Sequence, residues 1–148
     1  MTLSDPKTNF KMVACIDPVV IAAAGTTDGT SIDTKGFRWA TFIVQIGTQA
    51  GGTTTGTSAK ITSDPLTGGA FATDITGAVF TAATLLAGDC EEIGRIDLHK
   101  LDYSTSRWLR IELTTVGAGV SVPVSAVCIL SNSEDDTKYQ TQAFAFGV

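Results

Sequence analysis

The chain has 148 residues and a formal net charge of −5, and its ten Lys and Arg residues are scattered along it. Nucleic acids and anionic membranes both attract clustered cations, so this composition argues against either as a partner. Charged residues make up only 17% of the chain, and Thr, Gly, Ser and Ala fill the difference. This balance favours a single domain rich in β-strands and turns.

The three cysteines, Cys15, Cys90 and Cys128, lie far apart and form no C-x-x-C pair. The sequence therefore has no motif for a zinc ribbon or a thioredoxin-type site. Cys15 and Cys128 stand among apolar residues and are predicted to be small buried hydrophobes with reduced thiols, which fits a protein assembled in cytoplasm. No apolar run approaches the length of a membrane span, and no signal peptide is recognisable.

Residues 1–18 are predicted to form an N-terminal arm, because Asp5, Pro6 and Pro18 discourage regular structure. The arm nevertheless carries Phe10, Met12 and Val13. Buriable side chains in an extended arm indicate docking on the same domain or on a neighbour. We therefore expect these three residues to contribute to a protein interface.

The middle of the chain alternates as strands do. Val19–Ala23 is predicted as a first strand, Asp28-Gly29 as a type I′ hairpin turn and Thr30–Ile32 as a short edge strand. After the turn "DTKG", the strand Phe37–Ile46 follows. Its core-facing residues are predicted to be Ala40, Phe42, Val44 and Ile46, which leaves Arg38 and Trp39 available to a neighbour at one end.

Less regular segments come next. Residues 47–58 are low in complexity and are predicted to be an exposed loop, followed by a strand over Ala59–Ser63. Residues 71–88 show no clean period, and a short helix over Thr81–Ala87 is one alternative.

Three further strands are predicted near the C-terminus, in "EEIGRIDLHKL", "RWLRIELTTV" and "VSVPVSAVCILS". The second should point Leu109, Ile111 and Leu113 inward. Pro123 cannot donate a ladder hydrogen bond, which predicts an edge strand or a bulge for the third. Residues 132–148 are predicted to form a tail, in which Phe144 and Phe146 alternate like strand residues and could contact a partner.

The pattern as a whole predicts an all-β fold, a compact antiparallel β-sandwich or small β-barrel of about seven or eight strands. The predicted organisation is an N-terminal arm (1–18), a β-rich domain (19–131) and a C-terminal tail (132–148).

No constellation of catalytic or metal-binding residues is apparent. The single histidine, His99, has Asp97 and Asp102 nearby, but a solvated surface face explains them better than a metal site. The Gly-rich stretch from Gly51 has Thr57 where a phosphate-binding loop needs Lys. We expect no enzyme activity, no cofactor and no metal.

The two tryptophans, Trp39 and Trp108, each share a strand face with polar residues. Exposed aromatic side chains can bind sugars or mark protein interfaces, and they can equally pack under loops. Core and interface positions both remain open for them.

Taken in order, "DTKGFRWATFIVQIGT", "AKITSD", "TDITGA", "IDLHK", "RWLRIELTT" and "VSAVCIL" resemble tailed-phage head decoration (cement) proteins over about residues 19–131. The resemblance implies a β-rich oligomer, often a trimer, on the outer surface of a virion. There it would clamp neighbouring major capsid protein subunits. The resemblance supplies no catalytic residues.

Apolar side chains in both ends suggest arms that reach several neighbours and combine weak contacts into avidity. We expect deletion of residues 1–16 to abolish capsid binding and to leave the fold intact. The alternatives are a tail-tube or tail-tip protein and a carbohydrate-binding β-sandwich that uses Trp39 and Trp108.

Overall fold

The computed structural model describes residues 10–47, 53–80, 90–118 and 121–132. These residues form nine strands and one short 3₁₀ turn. In chain order the elements are β1 (Phe10–Ile21), β2 (Gly25–Asp28), β3 (Ile32–Asp33), β4 (Trp39–Ile46), β5 (Thr53–Asp64), β6 (Thr73–Phe80), β7 (Cys90–Asp97), the 3₁₀ turn (Leu98–Lys100), β8 (Trp108–Ala118) and β9 (Val122–Ser131).

The strands make two antiparallel sheets, and the core lies between them. The four-stranded sheet has the order β1-β9-β4-β7, and the five-stranded sheet has the order β2-β8-β5-β6, with β3 also paired to β8. The predicted all-β sandwich is thereby confirmed. Most neighbours in each sheet are distant in sequence, so the pairing depends on long-range contacts.

Alternation along the central strands builds the core, as predicted. Ala40, Phe42, Val44 and Ile46 of β4 are buried on one side, and Leu109, Ile111 and Leu113 of β8 are fully buried opposite them. The cysteine prediction is confirmed as well for Cys15 and Cys128, which are both buried and form no disulfide. A hydrogen bond with the Cys15 thiol, together with burial, raises the pKa of the Cys128 thiol and keeps it protonated.

The first strand begins at Phe10, so the prediction of a start at Val19 is wrong, and the predicted boundary at residue 18 falls inside β1. The strand tolerates Pro18 because β1 is an edge strand with two register shifts, one between Ala14 and Ile16 and one between Ile16 and Val19. The first shift places consecutive residues, Cys15 and Ile16, toward the core. A two-residue alternation cannot reveal a strand with that interruption.

Gly29 does not sit in the predicted type I′ turn, which would require positive φ at both central residues. It lies where three backbone segments meet, because its N–H donates to the carbonyl of Ile111 at 2.8 Å and the N–H of Thr30 donates to the carbonyl of Cys15 at 2.7 Å. A Cβ on Gly29 would come within 2.7 Å of the Ile111 side chain and 2.9 Å of the Cys15 carbonyl oxygen. The close approach of the Ile111 side chain and the Cys15 carbonyl oxygen therefore explains why residue 29 is a glycine.

Two strand boundaries also differ from prediction. β5 starts at Thr53 and pairs with β8 from Ala118 onward, so the loop predicted up to Ser58 ends earlier. A threonine-rich sequence can form a strand when a neighbouring strand provides the partners for its backbone hydrogen bonds. β7 ends at Asp97, whose carboxylate accepts a hydrogen bond from the backbone N–H of His99 at 3.2 Å and so starts the 3₁₀ turn.

The position of Pro123 is a further correction. β9 is an inner strand, between β1 and β4, rather than an edge. Pro123 is tolerated because it is the second residue of β9 and lies beyond the last pair of the β4 ladder, where its carbonyl accepts the N–H of Gly47 at 2.8 Å. The helix considered for Thr81–Ala87 lies outside the described residues.

Candidate interaction surface

The outer face of the five-stranded sheet carries a network of ion pairs, with Val79 and Val116 as exposed apolar residues on the same face. Arg110 contacts Glu112 at 2.7 Å and Asp28 at 3.3 Å. Lys60 contacts Asp74 at 2.7 Å and Glu112 at 3.4 Å. These pairs run across β2, β8, β5 and β6, so this face has the charged groups that a solvated sheet surface usually has.

The outer face of the four-stranded sheet has an apolar middle, bordered by Thr41 and Arg95 on one side and by Gln45 and Ser125 on the other. In one row across the sheet, Met12 lies beside Ile129. In the next apolar row, the neighbours are, in order, Ala14, Val127, Ile43 and Ile93. Met12 is 62% exposed and Ile93 is 48% exposed. We call this surface the apolar sheet face, defined as Met12, Ala14, Ile43, Ile93, Val127 and Ile129.

A contiguous apolar surface of this kind is a candidate interaction site. The neighbouring row, formed by Phe10, Ser131, Trp39 and Asp97, extends the surface to one end of the sheet. Phe10 is 51% exposed. The difference between the two outer faces makes the four-stranded sheet the candidate contact side of the molecule.

Two guanidinium groups flank the indole ring at this end of the sheet. The Cζ of Arg95 lies 3.9 Å from the Trp39 ring centroid, and the Cζ of Arg38 lies 5.3 Å from it. The indole Nε1 of Trp39 and the Nε of Arg38 are buried and have no hydrogen-bond partner among the described residues. We call Arg38, Trp39 and Arg95 the Trp39 end; Asp97 pairs with Trp39 in the same row, so the end carries charges of both signs.

The predicted interface residues divide between three places. Phe10, Met12 and Trp39 project from the outer side of the four-stranded sheet, and Arg38 adjoins them. Val13 points inward and packs against the core. Trp108 lies on the five-stranded sheet, where it pairs with Asp33 and Asp64. Phe144 and Phe146 lie outside the described residues.

Sequence reasoning missed five members of the apolar sheet face, namely Ala14, Ile43, Ile93, Val127 and Ile129. A signal for two of them is present in β9, where "AVCIL" is apolar at both inward and outward positions. Strands that are apolar on both faces are typical of sheets covered on both sides. The same reading applied to "TFIVQI" would have indicated Ile43.

Residues considered for metal binding have structural roles in the turns. Asp97 caps the 3₁₀ turn, and the Asp102 carboxylate accepts hydrogen bonds from the backbone N–H of Ser104 at 2.9 Å and from its hydroxyl at 2.7 Å. In the described parts of the chain, no three His, Cys, Asp or Glu residues are grouped as metal ligands would be. The same parts contain no helix long and apolar enough to cross a membrane.

A cleft of about 570 Å³ opens between β6 and β7, the edge strands of the two sheets. Its lining is mainly apolar and includes Phe42, Ile61 and Ile96, with Trp39 and Arg95 on one side. The cleft is therefore continuous with the Trp39 end.

No protein-family model matches the sequence, and no curated protein sequence matches it. Among solved structures, a chain of the infectious bursal disease virus Gx strain superposes with a TM-score of 0.51 and 11% identity over 83% of this chain and 32% of that chain. The present chain thus spans about a third of that viral chain (32%).

Two other structures are similar over most of their length. The SPBc2 prophage-derived protein YomS has a TM-score of 0.45 and 14% identity, over 82% of this chain and 92% of that chain. The xylan-binding module CBM86 from Roseburia intestinalis has a TM-score of 0.42 and 15% identity, over 82% and 96%. At these identities the likeness concerns the fold alone.

Proposed function

We propose that this chain is a structural virion protein without catalytic activity. It binds the outside of a phage capsid as an oligomer, a trimer in the form we favour, and cements neighbouring major capsid protein subunits. The observation that carries the proposal is the apolar sheet face on one side of a sandwich whose other side carries a network of ion pairs. Such a surface suits a permanent protein contact rather than nucleic acid or membrane lipid.

Two further considerations support a place on the virion surface. The chain resembles phage decoration proteins through "TKGFRWATFIV" and "RWLRIEL", which include most of β4 and the first half of β8. Its fold is similar to that of a chain from an infectious bursal disease virus structure. A cement protein also needs a rigid body, and here that is provided by the two sheets and their shared core.

Oligomerisation strengthens the proposed role. A trimer presents three copies of each contact surface, so weak single contacts add up to high avidity on a repetitive shell. The apolar sheet face and the Trp39 end are the surfaces that we assign to contacts with other copies and with capsid subunits.

The test is co-sedimentation of the purified protein with emptied capsids of the source phage, with light scattering of the protein alone. We expect a trimer that sediments with shells. Ile129→Lys places a charge in the apolar sheet face and should weaken shell binding at least about tenfold, since a buried unpaired charge in an interface is costly. Thr114→Lys, on the ion-paired face of the other sheet, is the matched control and should bind normally.

A monomer that ignores shells would overturn the proposal, as would equal binding by the Ile129 and Thr114 variants. Ring or tube formation by the protein alone would favour the tail-tube alternative. A platform of two tryptophans for carbohydrate is not formed, because Trp39 and Trp108 belong to different sheets.

A further inference from the structure

We propose that the cleft between β6 and β7 takes up an extended, apolar segment of the capsid subunit, which pairs as an added strand with the open edge of β7. The identity of the partner rests on the proposed function. The chemistry of the segment follows from the cleft itself, through its backbone walls, its apolar floor and the row of side chains beside it.

The walls of the cleft are the backbones of two edge strands. Consecutive residues of both strands line it, 75–80 from β6 and 93–97 from β7. In the described part of the chain, β6 pairs only with β5 and β7 only with β4, so each has one edge without a strand partner. Such an edge is a template for another extended backbone, which makes a peptide strand the matching occupant.

The register shows which main-chain groups of β7 face the open edge. In an antiparallel pair, residues that bond the partner strand alternate with residues whose N–H and C=O point away from it. Leu98 donates to the carbonyl of Arg38 at 2.8 Å, in continuation of the β4–β7 register. Counting back from Leu98, even-numbered residues of β7 bond β4, so the N–H and C=O of Ile93 and Asp97 point away from β4.

A bulge in β6 lies along the opposite wall. The β5–β6 register shifts between Lys60 and Thr62, and residues 75–78 of β6 lie outside the ladder. Gly77, within this bulge, has a φ of 81°, in the left-handed region that favours glycine. All residues of the bulge line the cleft. Bulges are common next to functional sites, where they end local pairing, and this one leaves β6 without its ladder where the cleft opens.

The floor of the cleft belongs to the hydrophobic core. Phe42 and Ile61 are almost completely buried and line the cleft from below. Towards one end the Phe80 ring lies on the backbone of Gly94, where a Cβ would come within 2.6 Å of the ring. Side chains that an added strand points inward would therefore contact the core itself, which requires them to be apolar.

The outward side chains of an added strand would lie beside Ile93, which is 48% exposed. There they would continue the apolar row of Ala14, Val127, Ile43 and Ile93. The edge from Ile93 to Asp97 is about 13 Å long at ~3.3 Å per residue, which accommodates about four or five residues. We therefore expect a segment of about that length that is apolar on both sides.

A segment of another protein fits this site better than a strand of a second copy. The cleft lies between the edges of the two sheets of one sandwich, and a strand that belongs to a sheet carries its neighbours with it. The described strands of a second copy all belong to sheets. The occupant therefore comes from a chain that presents an extended segment outside any sheet, and in the proposed function this chain is a capsid subunit.

An array of overlapping decapeptides from the major capsid protein of the source phage, probed with the labelled full-length protein, tests the inference. We expect binding to peptides with an uninterrupted apolar run of about four or five residues. Ile93→Pro removes the N–H that points to the open edge and leaves the β4 ladder intact. It should bind these peptides at least about tenfold more weakly than Ile93→Ala, which also loses the side chain but keeps the N–H.

A second variant approaches the cleft from the other wall. Ala78→Phe fills the cleft from β6 and leaves β7 unaltered, so it should weaken peptide binding as well. Val116→Phe, at an exposed position on β8, is the matched control and should bind as the unaltered protein does. Far-UV circular dichroism checks that every variant keeps the fold.

The possible outcomes separate this inference from the proposed function. Equal peptide binding by the Ile93→Pro and Ile93→Ala proteins, or no bound peptide, would overturn the inference even if the protein sediments with shells. Peptide binding that depends on the cleft, by a protein that ignores whole shells, would support the inference and overturn the capsid role. Loss of the oligomer in Ile93→Pro, with no peptide bound, would assign the edge to a second copy and overturn the inference.

Discussion

At the scale of single residues, close contacts between the backbones of the two sheets impose strict limits. Gly29 is the clearest case, since it sits against both Ile111 and the carbonyl of Cys15. The packing leaves no room for a side chain there, although the φ angle of Gly29 is not in the left-handed region. A dipeptide that reads as a turn signal in the sequence is in fact a contact point between sheets.

Gly29→Ala is expected to destabilise the protein by about 1–3 kcal/mol, because the new methyl group forces Ile111 or the β1 backbone to move. Urea denaturation followed by circular dichroism measures the change. Gly68→Ala is the matched control, since a Cβ at Gly68 has nothing within 4 Å. Equal stability of the two variants would show that the contact can relax.

The Asp33–Arg107 pair makes stability depend on pH. The Arg107 guanidinium donates two hydrogen bonds to the Asp33 carboxylate, at 2.9 and 2.7 Å, and thereby lowers the pKa of Asp33. A carboxylate whose folded pKa is lowered contributes stability above its unfolded pKa of about 3.9 and loses it as the pH falls through the folded value. Both side chains are partly exposed, so water weakens the effect.

Asp33→Asn should therefore reduce the difference in unfolding free energy between pH 7 and pH 3. Denaturation curves at both pH values measure it. Arg107→Gln removes the partner and should act in the same direction. A variant whose pH dependence matches the unaltered protein would contradict this assignment.

At the scale of elements, β1 changes the interpretation of the N-terminal end. Part of the segment expected to be an arm that docks on its own domain or on a neighbour is a strand that pairs with β9 from Phe10 to Ile21. Cys15 and Ile16 are buried, and Val13 packs against the core. Deletion of residues 1–16, expected from the sequence to spare the fold, would remove these contacts and expose the edge of β9.

Deletion of residues 1–16 is thus expected to lower stability by about 3–6 kcal/mol, from the lost burial of those three side chains. Deletion of residues 1–9 is the matched control and should leave the unfolding midpoint nearly unchanged, because the described pairing of β1 starts at Phe10. Thermal melts of both deletion proteins measure the difference. Similar melting temperatures would mean that β1 contributes little.

At the scale of the whole molecule, stability should be highest where strands have partners on both sides. β9 and β4 are inner strands of one sheet, and β8 and β5 are inner strands of the other, whereas β2 and β6 lie at edges. Amides of inner strands open only with the core, while those of edge strands can open locally.

Hydrogen exchange measured by mass spectrometry should show amides of β4 and β9 exchanging at least about tenfold more slowly than those of β2 and β6. The peptides Trp39–Ile46 and Thr73–Phe80 have the same number of residues and make a suitable comparison. Faster exchange in β9 than in β6 would contradict the strand order.

The sequence by itself determined the fold class, the core-facing residues of β4 and β8, and the burial of Cys15 and Cys128, because side-chain alternation and apolar context are local properties. It identified Phe10, Met12 and Trp39 as interface candidates for the same reason. Only the tertiary structure decided that β1 extends through Pro18, that β9 is an inner strand and that Trp108 lies on a different sheet from Trp39. Alternation tells which residues share a side of one strand, whereas strand order depends on partners far apart in the chain. The apolar sheet face exists only once β1, β9, β4 and β7 are aligned side by side.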